Sequence, residues 1–450
     1  MRITLHRPHQ IGGCITEIES NAGTRIFIDL GHLLPDGDKP SDDKLATKDA
    51  IDKLTAGASA ILYTHNHGDH VELFNLVDES IPQYIGNLAA DLMGRKYQRL
   101  SCLDDQHEEC LDRLKKLETF HFYHAGKPLY FGKRKDITVT PFYVSHSATD
   151  SYMLKIQCDG KTVIHTGDFR EHGYLGDGLR KVIDKFHIAG NVDVLIVEGT
   201  NVGQTNKPVM SEKEICDCFK EIMAKRKNVF VLCSSQDADR LVSVYRANYS
   251  TKPWRPFVCD SFQAETICRI DQEYKGQGPH YQFDKKAVFV YDYNPVKNKG
   301  LVAKMKDCGF TMLIRCSDKF AKWIDDILKF CNKEETSFVY SMYRGYVEKD
   351  KGGYNEKTDA FIQPLVAGST PCLKGSKRYD YNHTSGHASI QSLKEICELI
   401  GPKTAIIPIH HNSDANFHTV GLRKDLDDKI VESSTLVDEV SIIFDLAQRW

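Results

Sequence analysis

The stretch Thr64-His65-Asn66-His67-Gly68-Asp69-His70 decides how this 450-residue chain is interpreted. It follows directly on residues 60–63, an apolar run with the length of a buried strand. Side chains two positions apart after a strand project to the same side, so His65 and His67 are predicted to hold one ion. Imidazole nitrogens are ligands that zinc prefers. The stretch therefore predicts a metal site at the end of a strand.

The second half of the stretch predicts a neighbouring position for a second ion. Gly68 permits a tight turn, and Asp69 and His70 then point toward that position as a helix begins at Val71. A carboxylate among imidazoles is typical of a hydrolytic zinc site that keeps a water molecule. The alternative is a solvated polar loop, which the density of metal-binding side chains disfavours.

Three further metal-binding side chains stand close behind short apolar runs that are predicted to be strands. They are His146, Asp168 and His410. Each alone is weak evidence, because a histidine at a strand end is more often structural. Together they predict ligands that converge on one edge of a sheet, where open sheets tend to place their sites.

The composition is typical of a globular protein, with 41% hydrophobic and 27% charged residues. No apolar run approaches the ~20 residues that a membrane span needs, and the N-terminus lacks the apolar stretch of a signal peptide. We therefore expect a cytoplasmic protein with no membrane partner.

The net charge of −3 gives no overall basic surface for nucleic acid. Fourteen cysteines without a CxxC pair are expected to be reduced thiols.

The pattern of the chain changes near residue 209 from short strands to alternating helices and strands, which predicts a separate α/β module. Ser211 and Glu214 form a capping box at the start of its first helix. Residues 344–378 are rich in Gly and Lys and are predicted to form a long surface loop. Because functional side chains occur on both sides of the module, we predict one domain, 1–208 and 346–450, interrupted by an insert at 209–345.

Six ordered segments carry a resemblance to a known family. They are Phe27-Ile28-Asp29-Leu30-Gly31, His146-Ser147-Ala148-Thr149-Asp150-Ser151, Thr166-Gly167-Asp168-Phe169-Arg170, Leu195-Ile196-Val197-Glu198-Gly199-Thr200, His383-Thr384-Ser385-Gly386-His387-Ala388-Ser389 and Ile407-Pro408-Ile409-His410. With the HxHxDH loop, they make the chain resemble the metallo-β-lactamase superfamily, and within it the ribonuclease J-like β-CASP nucleases. The resemblance implies an α/β fold, a metallo-β-lactamase αββα sandwich with an inserted α/β β-CASP domain.

Carried over position by position, the resemblance implies two Zn²⁺ ions, with Mn²⁺ as a substitute. One ion would be held by His65, His67, His146 and Asp168, and the other by Asp69, His70, Asp168 and His410. Asp29 would orient a ligand histidine. His387 would be the general acid and Glu198 would hold its imidazole, so these two and Asp69 are the expected catalytic residues. A helix cap at 385–387 and a buried salt bridge at Glu198 are the structural alternatives.

The same resemblance implies a zinc-dependent ribonuclease that hydrolyses RNA phosphodiester bonds, acting as an endo- or 5′-exoribonuclease. A hydroxide activated by two metals would attack phosphorus, and the histidine acid would protonate the leaving oxygen. His410 in the last motif goes with RNA enzymes in the family. His383 and Ser385 are candidates for phosphate contact, or alternatively for hydrogen bonds within their own loop. RNA is the expected partner, and a homodimer is a further candidate assembly.

Other functions stay open on the sequence alone. A small-molecule metallohydrolase, such as a lactonase or phosphodiesterase, would share the ligands but would need no large insert. A DNA-directed nuclease of the same family is a second alternative. The segment Val339-Tyr340-Ser341-Met342-Tyr343-Arg344 departs from the Gly-Ser-Gln type loop usual in ribonuclease J-like proteins. That departure and the balanced charge put processive exonuclease action and dimerisation in question.

Overall fold

The computed structural model describes residues 1–35, 41–103, 106–203, 209–276, 280–292, 294–349, 353–431 and 442–445. Within these ranges the first of three sheets has the order β19-β1-β2-β3-β4-β5-β6. Its strands are β1 (Arg2–Leu5), β2 (Thr16–Glu19), β3 (Arg25–Ile28), β4 (Ala60–Leu62), β5 (Gln83–Ile85), β6 (His121–Phe122) and β19 (Ile442–Asp445). Strands β19 to β3 pair antiparallel, and β3 to β6 pair parallel.

The second sheet has the order β18-β11-β10-β9-β8-β7 among the described residues. Its strands are β7 (Leu129–Phe131), β8 (Ile137–Val144), β9 (Ser151–Cys158), β10 (Lys161–His165), β11 (Val194–Glu198) and β18 (Ala405–Ile409). Strands β7 to β10 pair antiparallel, whereas β10, β11 and β18 pair parallel. Strands β8, β10, β11 and β18 therefore all run in one direction and end at the same edge.

Thirteen α-helices occur in the described part of the chain. They are α1 (Lys48–Thr55), α2 (Gly68–Val71), α3 (Asn87–Leu100), α4 (His107–Leu117), α5 (Gly178–Lys185), α6 (Glu212–Lys225), α7 (Ala238–Ser250), α8 (Ser261–Glu273), α9 (Pro295–Cys308), α10 (Asp318–Leu328), α11 (Glu356–Ala367), α12 (Ile390–Ile400) and α13 (Lys424–Asp427). No helix within these bounds is both long and apolar enough to cross a lipid bilayer.

The first two sheets pack face to face, and helices cover their outer faces. In β3, Ile26 and Ile28 enter the core shared by the two sheets, whereas Phe27 between them packs under α1, α3 and α4. The alternation follows from the two-residue period of a strand. Ile164 and Leu195 of the second sheet likewise pack under α5 and α12. These four layers confirm the predicted αββα sandwich.

The third sheet belongs to the predicted insert and is parallel throughout. Its described strands are β12 (Asn228–Leu232), β13 (Phe257–Cys259), β14 (Val288–Val290), β15 (Phe310–Ile314), β16 (Thr336–Tyr340) and β17 (Asp380–Tyr381), in the order β14-β13-β15-β12-β16-β17. Helices α6, α7 and α8 cover one face and α9, α10 and α11 the other. The capping box of Ser211 and Glu214 is present at the start of α6.

The prediction of a long surface loop at residues 344–378 is wrong, because α11 lies inside this range. Asn355 caps this helix by accepting a hydrogen bond from the Thr358 N–H, and Ile362 and Leu365 are buried against the third sheet. The Gly and Lys residues on either side of the helix concealed this apolar face. Strand β17 also pairs with β16, so the third sheet continues beyond the boundary predicted at residue 345. Residue 208, at the other predicted boundary, lies outside the described residues.

All fourteen cysteines lie within described residues and form no disulfide there; seven are buried, five are half-buried, and Cys102 and Cys316 are exposed.

A buried ionic joint connects the sandwich to the insert. It consists of Arg170, which follows β10, and of Glu212, Asp237, Asp239 and Arg240. Arg170 donates to Asp239 at 2.8 Å, and Arg240 donates to Glu212 at 2.9 Å. Burial raises the pKa of Glu212, but the Arg240 and Arg170 charges outweigh it and hold the pKa at about 2. The insert is therefore attached through charges that must stay paired.

The substitution Arg240→Leu is expected to lower the free energy of unfolding by about 3–5 kcal/mol, because it removes the strongest partner of a buried carboxylate. Urea denaturation followed by circular dichroism measures the change. The control is Lys220→Met, which breaks the exposed Lys220–Asp217 pair (2.8 Å) on α6 and should cost less than about 1 kcal/mol. Equal losses in the two variants would contradict the role of the joint.

Candidate metal centre and active site

The loop after β4 carries the histidines of the opening stretch into the protein interior. His65 and His70 are buried, and His67 is half-buried. Helix α2 begins at Gly68 and not at Val71 as predicted. The reason is that the His67 carbonyl accepts hydrogen bonds from the N–H groups of both His70 and Val71, at 3.0 Å each.

All seven predicted metal ligands lie together, around one carboxylate oxygen. We call them the ligand group: His65, His67, Asp69, His70, His146, Asp168 and His410. Asp168 Oδ2 lies 3.9 Å from His65 Nε2, 3.2 Å from His70 Nε2, 3.8 Å from His146 Nε2 and 3.9 Å from His410 Nε2. The other two members lie beside these histidines: His67 Nδ1 is 3.2 Å from His146 Nε2, and Asp69 Oδ2 is 3.1 Å from His410 Nε2.

The direction of the strands explains why distant residues meet here. His146, Asp168 and His410 follow β8, β10 and β18, which end at the same edge of the second sheet. His410 has a left-handed backbone with φ of 55°, as does Asp29 with φ of 62°. Such a conformation is costly for a residue other than glycine, and it occurs at functional sites that the surrounding structure holds in place.

The ligand group fits metal ions. His65 Nε2, His70 Nε2 and Asp168 Oδ2 are buried and have no hydrogen-bond partner among the described residues. A buried polar atom without a partner is expensive, and a metal ion removes that cost. The ligand atoms of His65, His67 and His146 lie within 4.8 Å of one another, as do those of His65, His70 and Asp168. Imidazole nitrogens and carboxylate oxygens are a donor set suited to zinc.

Residues behind the ligand group fix the orientation of the imidazoles. His70 Nδ1 donates to Asp29 Oδ2 at 2.7 Å, which leaves Nε2 directed at Asp168. His146 Nδ1 donates to the Gly386 carbonyl at 2.6 Å. A side-chain carbon at Gly386 would lie 2.8 Å from Ser147 Cβ, so only glycine permits this approach. Asp29 thus contacts a histidine of the ligand group, and its role in orienting a metal ligand stays a prediction.

His387 and Glu198 form a pair beside the ligand group. His387 Nδ1 lies 2.9 Å from Glu198 Oε2 and 3.5 Å from Asp168 Oδ2. Glu198 Oε1 accepts hydrogen bonds from the Phe169 N–H at 2.7 Å and the Ala388 N–H at 3.3 Å. Burial lowers the pKa of His387, but the Glu198 and Asp168 carboxylates outweigh it and raise the pKa to about 9. The pair can therefore hold a proton on the imidazole at neutral pH.

Thr200 makes two contacts in the site that the sequence did not lead us to predict. Its Oγ1 lies 2.8 Å from His410 Nδ1 and 3.1 Å from His387 Nδ1, so one hydroxyl joins a predicted ligand to the predicted acid. The sequence did offer one indication of these contacts. Thr200 follows Glu198 by two residues at the end of β11, and residues two apart along a strand project to the same side.

The two candidates for phosphate contact lie in different surroundings. His383 Nδ1 accepts a hydrogen bond from Arg240 of the joint at 3.2 Å, and burial together with Arg240 lowers its pKa to about 3. Ser385 lies nearer the ligand group, where its Oγ accepts from the His387 N–H at 3.1 Å. Both side chains thus have partners within the protein, and their contact with phosphate stays a prediction.

Comparison with known families matches two parts of the chain. Residues 41–230 match the beta-lactamase superfamily domain, and residues 375–414 match a domain described as the Zn-dependent metallo-hydrolase RNA specificity domain. The first match includes Asp168 and Glu198, and the second includes His387 and His410. The matched regions therefore contain both the ligand group and the His387–Glu198 pair.

Individual proteins are similar over most of the chain. Ribonuclease J from two strains of Helicobacter pylori is 24% and 28% identical over 408 residues, covering 89% of this chain and 54% of each relative. The chain thus spans about half the length of these relatives. A crystal structure of a protein of unknown function from Enterococcus faecalis aligns over 98% of this chain and 99% of its own, with a TM-score of 0.66 and 16% identity. Together, the two domain matches and the ribonuclease J relatives support a place for this chain in the metallo-β-lactamase superfamily, among its ribonuclease J-like β-CASP members.

Proposed function

We propose that this chain is a zinc-dependent ribonuclease that hydrolyses RNA phosphodiester bonds with His387 as general acid. The observation that carries the proposal is the 2.9 Å contact between His387 Nδ1 and Glu198 Oε2, next to the ligand group. The relatives named ribonuclease J and the match to an RNA specificity domain over 375–414 support RNA as the substrate.

Two zinc ions would divide the ligand group between them. The first would be held by His65, His67, His146 and Asp168, and the second by Asp69, His70, Asp168 and His410. When bound, such ions supply positive charge that stabilises the negative charge developing on the phosphoryl group. Zinc as the native metal, Mn²⁺ as its substitute and a homodimer stay predictions.

Asp69 is the ligand best placed to contact the attacking water. Its side chain is 14% exposed, whereas that of Asp168 is 2% exposed. The Asp69 carboxylate can therefore accept a hydrogen bond from a water molecule that enters the site and orient it toward phosphorus. Asp69 Oδ2 lies 3.1 Å from His410 Nε2, so both atoms would face the second ion.

His387 protonates the leaving oxygen. Glu198 is buried and accepts two backbone N–H groups on one oxygen, so it stays in place as a charged acceptor for His387 Nδ1. The proton that is transferred is then the one on the other ring nitrogen, Nε2. A leaving alkoxide is a strong base and needs such an acid. A thioester has a better leaving group and needs such an acid less, so the His387–Glu198 pair favours substrates with an alkoxide leaving group, such as phosphodiesters.

The substrate test incubates zinc-loaded protein with RNAs that bear 5′-monophosphate, 5′-triphosphate or 5′-hydroxyl ends, beside DNA of the same sequence. We expect cleavage of RNA alone, resolved on denaturing gels. The rate should fall as salt rises, because the release of counterions from RNA phosphates contributes less to binding at high salt. Hydrolysis of a lactone or a cyclic dinucleotide without cleavage of any RNA would reject the proposal.

The substitution His387→Ala is expected to reduce RNA cleavage by about 10²–10⁴-fold, the range of general acid catalysis. Both zinc ions should remain, as measured by metal content after gel filtration, because His387 is not among the proposed ligands. The control is His418→Ala, an exposed histidine paired with Asp427 at 3.0 Å, which should cleave normally. Loss of zinc from the His387 variant would instead make His387 a ligand.

The substitution Glu198→Gln is expected to shift the pH dependence of cleavage. Glu198 raises the pKa of His387, so removing its charge lowers that pKa. The acid then loses its proton at lower pH, and the alkaline fall of kcat should move toward neutrality. A pH–rate profile of the two proteins measures the shift. An unchanged alkaline limb with equal kcat would show that Glu198 only supports the backbone.

A further inference from the structure

Cys14 is held against the ligand group by the backbone. It lies in the loop between β1 and β2 and is 6% exposed. Its N–H donates to the Asp69 carbonyl at 3.0 Å, and its carbonyl accepts from the Gly31 N–H at 3.0 Å. A side-chain carbon at Gly31 would lie 1.7 Å from the Asp69 carbonyl oxygen, so glycine is required where the two loops touch. The position of Cys14 is therefore set by the same loop that carries Asp69 and His70.

The Cys14 sulfur is close to two of the proposed ligands of the second ion. Cys14 Sγ and one ring nitrogen from each of His70 and His410 all lie within 4.8 Å of one another, and all three residues are buried. His70 Nε2 is also one of the buried atoms without a hydrogen-bond partner among the described residues. The sulfur thus lies beside two imidazoles of the ligand group.

We propose that Cys14 is a further ligand of the ion held by Asp69, His70 and His410. The inference rests on the proposed metal centre and adds a thiolate to its second position. On binding, the Cys14 thiol releases its proton to solvent as the sulfur–metal bond forms, and no electrons are transferred. Zinc bonds are about 2.3 Å long to sulfur and about 2.1 Å long to nitrogen. Small side-chain rotations would bring the three atoms, now within 4.8 Å of one another, to these distances from one ion.

The consequence is a difference in metal preference between the two positions. The first position has only nitrogen and carboxylate ligands, whereas the second gains a soft sulfur ligand. Thiolate favours zinc over Mn²⁺, which prefers oxygen ligands. The Cys14 variants should therefore lose zinc from the second position to excess Mn²⁺ more readily than the wild-type protein.

Zinc K-edge X-ray absorption of the full chain loaded with two zinc equivalents tests the proposal without any cleavage assay. We expect a sulfur shell at about 2.3 Å in the wild-type protein. The variants Cys14→Ala and Cys14→Ser should lose this shell. The matched control is Cys397→Ala, because Cys397 is also buried but packs in the apolar core under the second sheet. It should keep the shell.

A second measurement is metal content after dialysis against excess Mn²⁺. The Cys14 variants should keep less zinc than the wild-type protein and the Cys397 variant. Two bound zinc ions with only nitrogen and oxygen neighbours in the wild-type spectrum would overturn the inference while leaving the ribonuclease proposal intact. A sulfur shell that persists in a Cys14 variant would also overturn it. Failure of the wild-type protein to bind zinc at all would reject both.

Discussion

The buried carboxylate of Asp168 is the constraint on which the rest of the site depends. Its Oδ2 lies within 3.9 Å of four ring nitrogens and is 3.5 Å from a fifth, that of His387. A carboxylate charge inside a protein is stable only with positive charge or strong hydrogen bonds around it. Metal ions held by the ligand group would supply that positive charge. Asp168 thereby links the proposed metal centre to the proposed acid.

The fold makes this arrangement possible by bringing strand ends to one edge. Four strands of the second sheet end beside the loop that follows β4 of the first sheet, so residues from 65 to 410 share one site. The insert contributes through the buried ionic joint. Arg170 of the joint donates to the Ser385 carbonyl at 3.2 Å, and Ser385 in turn accepts from the His387 N–H. The attachment of the insert and the position of the acid are therefore connected.

The proposed acid pair, His387 and Glu198, narrows the class of reactions that the site would catalyse, which metal ligands alone do not. A ligand group of this kind serves many hydrolyses, because stabilised negative charge is useful in all of them. A fixed acid beside it is needed most where the leaving group is strongly basic. Thr200 adds a contact to both imidazoles, because its hydroxyl lies within hydrogen-bond distance of His387 Nδ1 and His410 Nδ1.

Local sequence patterns were enough to predict that the seven residues of the ligand group lie together, because they stand in short motifs at strand ends whose spacing reflects local backbone geometry. The sequence also determined the sandwich, through strand alternation and the resemblance, and the first helix of the insert, through its capping box. The tertiary structure decided what lies beyond local range. Helix α11 is stabilised by burial against the third sheet, Thr200 meets His410 across 210 positions of the chain, and Cys14 meets His70 through a contact between loops. Such pairings depend on how distant segments pack, and no local pattern encodes them.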